Sequence, residues 1–163
     1  MRRFGATALT GRWHTFDMPL PDDAPRWVRK LLKDLVAYGF SQVEEGSFQE
    51  SFGDFYTTHL RAHVLVRPVK DRGVWRVDVT DDRQPSNVYG FLPWTSIAYL
   101  RAVAEGVTDE GKIPPASEDD QAQWLSEHLD GAASLMADPA TWQIIGQLRR
   151  QSAKRRFGVE FLD

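Results

Sequence analysis

The stretch from Phe55 to Thr80 most limits the folds open to this chain. It reads FYTTHLRAHVLVRPVKDRGVWRVDVT, rich in β-branched and aromatic residues and broken once by Lys70-Asp71-Arg72-Gly73, which has turn chemistry. The pattern predicts one long strand over 55–69, a turn at 70–73 and a further strand over 74–80. Side chains alternate between faces along a strand, so the length of the turn decides which residues share a face. A four-residue turn sets Val69 against Val74, Val66 against Val77 and Val64 against Val79; an odd turn would set valines against Arg76 and Asp78. Burial favours the even turn. Trp75 then joins Val77 and Val79 on the buried side. A weaker strand over 40–52 precedes this hairpin. There Phe48 and Phe52 fall on one parity and Val43 on the other, which a bulge near Gly46 would reconcile.

Helical periodicity frames the strands. Residues 25–38 place Trp27, Val28, Leu31, Leu32, Leu35, Val36 and Tyr38 on one half of a helical wheel, and Arg26, Arg29, Lys30, Lys33 and Asp34 on the other. Pro25 suits the first turn of that helix and Gly39 its left-handed stop. From Pro93 the chain turns helical to Glu105. Ser117 and Asp120 open a second helix running to Ala137 with a capping-box pattern, and Asp138-Pro139 opens a third running to Lys154. Strands first and helices after predict an α+β fold: a short antiparallel sheet of at least three strands, packed by an N-terminal helix and three C-terminal helices. The expected layout is one domain over 1–163, with an irregular arm over 1–24, a helix and sheet over 25–92, and a helical part over 93–163. Phe4, Leu9, Trp13 and Phe16 would pin the arm to the body.

Composition removes several classes of function. The chain has no cysteine, which excludes disulfides, thiolate nucleophiles and cysteine-bearing zinc sites. A net charge of −3 gives no global field for nucleic acid or anionic membranes, so neither is expected as a partner. No apolar run reaches the ~18 residues of a membrane span, and MRRFGATALTGRWH has no apolar core of a secretory leader. A cytoplasmic location is expected. Serine elbows and glycine-rich phosphate loops are missing, and no catalytic residue, metal or cofactor is expected.

Two polar groups remain as candidate partner-binding residues. Along the long strand, His59, Arg61, His63 and Arg67 share the polar parity, with Arg76 and Asp78 joining from the next strand. On one extended strand His59 and His63 stand roughly 13 Å apart, too far to chelate a single ion. Glu44, Glu45 and Glu50 on the weak strand are placed to pair with this stripe. His128 falls on the apolar arc of its helix, near Trp124, Ala132 and Leu135, as a histidine at the edge of the core. The run Asp78, Asp81, Asp82 has oxygen ligands, but its spacing matches ordinary turn chemistry.

The second group is acidic. Residues 105–130 carry Glu105, Asp109, Glu110, Glu118, Asp119, Asp120, Glu127 and Asp130 against Lys112 alone, while residues 147–156 carry Arg149, Arg150, Lys154, Arg155 and Arg156 and no acid. Helix-dipole effects reach only the first and last turns. Asp119 and Asp120 serve a cap; Asp109 and Glu110 lie in a loop with few structural duties. They suit a docking surface for a basic protein, or they neutralise the last helix.

The segment HVLVRPVKDRGVWRVDV, residues 63–79, resembles small, mostly uncharacterised bacterial proteins found near polymorphic toxin genes and treated as immunity-like. In those proteins a strand, an Asp-Arg-Gly turn and a Trp-bearing strand precede a helix. The resemblance spans residues 26–105 and rests on a hairpin, so it carries over no binding residue. It implies a cytoplasmic, non-catalytic protein whose partner is a toxin domain. The reading favoured is a non-enzymatic protein-binding module that occludes a toxin or other partner protein through a charged surface. The alternative is a small-molecule-binding or enzymatic α+β domain with a pocket at the polar sheet face.

Overall fold

A computed structural model describes residues 20–48 and 54–158, with the side chains of Ser47 and Phe48 left aside. The arm's Phe4, Leu9, Trp13 and Phe16 lie outside the described residues, as do Glu50 and the loop of the first hairpin. Within them the fold is α+β. Helix α1 (Arg26–Ala37) precedes strands β1 (Ser41–Phe48), β2 (Asp54–Arg61), β3 (Val64–Asp71), β4 (Val74–Asp81) and β5 (Thr95–Ser96). Helices α2 (Ile97–Ala104), α3 (Glu118–Glu127), α4 (Leu129–Ala137) and α5 (Pro139–Phe157) follow, with a short 3-10 turn at Glu110–Lys112. The five strands lie side by side in chain order, all antiparallel.

The long strand expected over 55–69 is in fact two. The chain reverses at Ala62-His63, with Ala62 at φ 54°, and β2 pairs back on β3. Arg61 faces Val64 and His59 faces Val66, so odd residues of β2 share a face with even residues of β3. The next turn is also tighter than expected. It has two residues, Arg72 and Gly73, both at positive φ (50° and 81°), as a twist-matched hairpin turn requires. Val66 therefore faces Val79, Val64 faces Asp81, and Val69 faces Arg76. Because the register moves by two, parity survives and Val64, Val66, Val77 and Val79 still share the buried face. Val74, no longer opposite Val69, points into solvent. In the first hairpin the irregularity falls at Val43, between Gln42 and Glu44, not near Gly46.

The inner face of the sheet carries Phe55, Val64, Val66, Trp75, Val77 and Val79, all buried. Helices α1 to α4 supply the opposing layer through Val28, Leu31, Leu35, Ile97, Leu100, Leu125 and Met136. Trp75, Val64, Val66, Leu31, Leu35 and Ile97 are buried together in one cluster. Of the apolar half of α1, Val28, Leu31, Leu32 and Leu35 are buried, whereas Val36 and Tyr38 stay exposed at the helix end. Gly39 stops the helix at φ 86°.

Downstream boundaries differ in detail. The segment after Pro93 first adds β5 beside β4, and α2 begins only at Ile97. The helix expected from Ser117 to Ala137 breaks at His128, whose backbone (φ −125°) leaves the helical region. Ser117 and Asp120 form the reciprocal capping box, and Asp138 caps α5 by accepting from the Ala140 N–H. Helix α5 continues to Phe157 and ends on Gly158 in the left-handed conformation. No helix among the described residues is long and apolar enough to cross a membrane.

Candidate functional site

On the outer face of the sheet, away from α1 to α4, Arg67 of β3 stands opposite Asp78 of β4. Its guanidinium carbon lies 3.9 Å from the ring centroid of Trp94 and 5.0 Å from that of Tyr56. Nε donates to Thr58 Oγ1 at 3.0 Å and Nη2 to Glu44 Oε2 at 3.3 Å. The strand pleat brings Tyr56, Thr58 and Arg67 to one side. Trp94 comes from the segment joining β4 to β5, tied down where Thr80 Oγ1 donates to the Pro93 carbonyl at 3.2 Å and where Arg149 of α5 donates to the Trp94 carbonyl. The Tyr56 ring lies across Gly46 of β1, leaving no room there for a Cβ. Trp94, Arg67, Tyr56 and Gly46 thus form a row across the sheet. Each cation–π contact contributes about 0.5–2 kcal/mol, depending on how far it is desolvated.

Arg76 joins this face through Asp78, at 3.2 Å, and Asp71, at 2.9 Å. Burial raises the pKa of Asp78, against the opposing pull of Arg76, Arg67 and Arg149. Glu118, at the start of α3, is likewise raised by burial, opposed by a backbone hydrogen bond from Val77, midway along β4. The charges are mutually neutralised, so the face offers stacking surface and directional hydrogen bonds.

The structure brings Arg67, Arg76 and Asp78 together as the sequence suggested, and Glu44 makes its expected pairing with Arg67. The rest of the stripe is undone by the turn at Ala62-His63. His59 sits on the inner face, 2% exposed, with Nε2 3.1 Å from Thr57 Oγ1 and no partner for Nδ1. Burial lowers its pKa to about 4, so the ring is neutral and belongs to the core. Opposite it, Gln42 of β1 buries an Oε1 that also lacks a partner. His63 lies in the turn itself, with Nδ1 2.8 Å from Asp82, so its separation from His59 is not that of one extended strand. Arg61, at the end of β2, pairs with Asp130 at 3.2 Å and reaches over Tyr38.

The acidic candidates mostly have structural partners. Arg155 of α5 reaches Asp109 at 2.8 Å and Glu110 at 3.1 Å, while the Glu110 N–H donates to Gln151 Oε1 at 2.7 Å. These two acids therefore tie the 3-10 turn to α5, contrary to the expectation of few structural duties. Asp120 is held by Ser117, whose hydrogen bonds lower its pKa. Asp119 alone remains exposed in the first turn of α3 without a hydrogen bond or ion pair among the described residues. Asp81 is fully buried and gripped by Arg83 at 2.6 Å, which lowers its pKa. Among the described residues no group of three or more His, Cys, Asp or Glu converges as a metal site. His128 is exposed, not at the core edge: it stacks on Trp124 with ring centroids 5.0 Å apart.

Sequence reasoning missed the segment leading to Trp94. Asn87 Oδ1 accepts from the N–H groups of Tyr89 (2.9 Å) and Phe91 (3.0 Å), and the Asn87 N–H donates to the Phe91 carbonyl (2.9 Å). This brace displays Val88, Tyr89 and Phe91 at 92%, 80% and 66% exposure. The available signal was three large apolar residues set among Pro85, Asn87 and Gly90 with no helical or strand period. Compared with known proteins, the chain matches no family model, no curated protein and no solved structure.

Proposed function

We propose that the chain is a protein-binding module of immunity type, which occludes a toxin domain or other partner protein with the 87–91 loop and the adjoining outer sheet face. The observation that carries this reading is the braced display of Val88, Tyr89 and Phe91. Large apolar side chains in solvent are costly to keep ordered, and a loop already fixed by Asn87 loses little entropy on docking. Tyr, Trp and Arg dominate the energetics of protein contacts; Tyr89 on the loop, and Trp94, Tyr56 and Arg67 on the outer sheet face, supply those types. The resemblance of residues 63–79 to immunity-like proteins supports the same class.

A photo-crosslinking residue at Tyr89, with one at Lys112 on the 3-10 turn as control, tests this in the source cells. The expected result is one defined protein adduct from position 89 and none from 112. Replacing Val88, Tyr89 and Phe91 with serine should leave stability within about 0.5 kcal/mol and weaken binding of the identified partner at least tenfold. Equal adducts from both positions, or unchanged affinity in the serine variant, would overturn the proposal.

A further inference from the structure

Resting on the proposed protein-binding role of the 87–91 loop, we infer that Gln84 and Arg149 are positioning residues that aim this loop by tying its two stems to α4 and α5. Gln84 Nε2 donates to the Met136 carbonyl at 3.1 Å, and Arg149 donates to the Trp94 carbonyl. The first bond holds the stem that enters the loop, and the second holds the stem that leaves it. Met136 is fully buried near the end of α4, and its carbonyl also accepts from the Trp142 indole N–H at 2.8 Å. Gln84 is thus tied to a point that the helices already fix.

The loop's shape and its aim have separate sources. Among the described residues, the hydrogen bonds of 86–92 run within that segment or to Trp94, and none reaches the body. Such a segment keeps its form, yet it can swing as a unit about Pro85 and Pro93, where proline fixes φ and leaves ψ free. Two stem bonds, from Arg83 to Asp81 and from Thr80 to the Pro93 carbonyl, go to the strand that feeds the loop. The bonds from Gln84 and Arg149, with Arg67 stacked on the Trp94 ring, tie the stems to other elements.

The surroundings of Arg149 point the same way independently. It is half-buried, and among the described residues no carboxylate hydrogen-bonds or ion-pairs with it. Burial lowers its pKa, opposed by the charges of Tyr99 and Asp78. A guanidinium withdrawn from water without an ion-pair partner is costly, and an apolar side chain would fill the same place at lower cost. What the arginine adds is a charge-assisted hydrogen bond to the backbone just past Phe91.

The test reads backbone amide order parameters of the whole free chain by NMR relaxation. Tyr89, Gly90 and Phe91 should stand near the rigid value of about 0.85 and fall below about 0.6 in the double variant Gln84→Met, Arg149→Met, while β3, β4 and α5 keep theirs. Exchange protection of the Tyr89 and Phe91 amides should be unchanged, because Asn87 still braces the loop's shape. Arg149→Lys, which keeps a charged donor, should retain more loop order than Arg149→Met. Gln84→Met alone, near the surface, should move the loop in the same direction and serves if the Arg149 variant does not fold. Against the protein captured at position 89, the double variant should bind about tenfold more weakly. Unchanged loop order, order lost evenly across the strands, or unchanged affinity of a loosened loop would overturn the inference. Absence of any adduct at position 89 would instead overturn the protein-binding reading, and the order parameters would still decide whether the tethers aim the loop.

Discussion

His59 of β2 faces Val66 of β3 on the inner side of the sheet, and both are closed off from solvent. An imidazole so placed stays neutral, with its pKa lowered by burial to about 4 from an ordinary 6.5. The unfolded chain takes up a proton near pH 6.5, whereas the folded chain resists until about pH 4. The stabilising contribution is therefore complete above pH 6.5 and is lost as pH falls toward 4, by roughly 3 kcal/mol in all. Denaturant melts between pH 7 and pH 4 should show this slope, and His59→Gln should flatten it. An unchanged slope in that variant would place the acid sensitivity on other groups.

Trp75 anchors the inner face from β4, with its ring 6.1 Å from Phe55. Trp75→Ala should cost about 3–5 kcal/mol by chemical denaturation. A loss under about 1 kcal/mol would contradict burial of this side chain in the core.

Asp109 and Glu110 share Arg155, so their charge matters to the fold first. Reversing both to lysine sets three cations together and should destabilise by about 1–2 kcal/mol, since each exposed pair is worth under about 1 kcal/mol. Adding Arg155→Glu should recover part of that loss. Thermal melts of the double and triple variants decide it; no recovery would mean that the contact contributes nothing.

Ala62 holds a left-handed conformation that disfavours a residue with a Cβ by roughly 1–2 kcal/mol. Ala62→Gly should stabilise the chain, by somewhat less than that because glycine also loosens the unfolded state. A lower midpoint in urea would show that the turn is not strained.

Much of the fold was legible because local chemistry and tertiary packing agree there. Pro25 and Gly39 bracket α1, Ser117 and Asp120 open α3, Asp138-Pro139 opens α5, and the valines of β3 and β4 fix a buried parity whatever the turn length. The turn at Ala62-His63 escaped because neither residue is a turn former. Nothing local distinguishes Arg61-Ala62-His63-Val64 from continuous strand, and one hidden reversal moved His59 from the outer face to the core. The pairing of Arg155 with Asp109 and Glu110 joins residues far apart in the chain, and helical periodicity does not report such contacts. Arg67, Arg76 and Asp78 were found because they flank a turn that does announce itself.

The strand order, which follows the order of the chain, also bears on how the protein is made. Every strand has its neighbour in hand as soon as the next short stretch leaves the ribosome, so the meander can assemble as it is synthesised, with α1 already available to it. Leu125, Met136 and the rest of the covering from α3 and α4 arrive only afterwards, on the order of seconds later. In that interval Val66, Val77 and Val79 are only partly covered, and the nascent chain is at its most open to chaperones and to pairing with other chains.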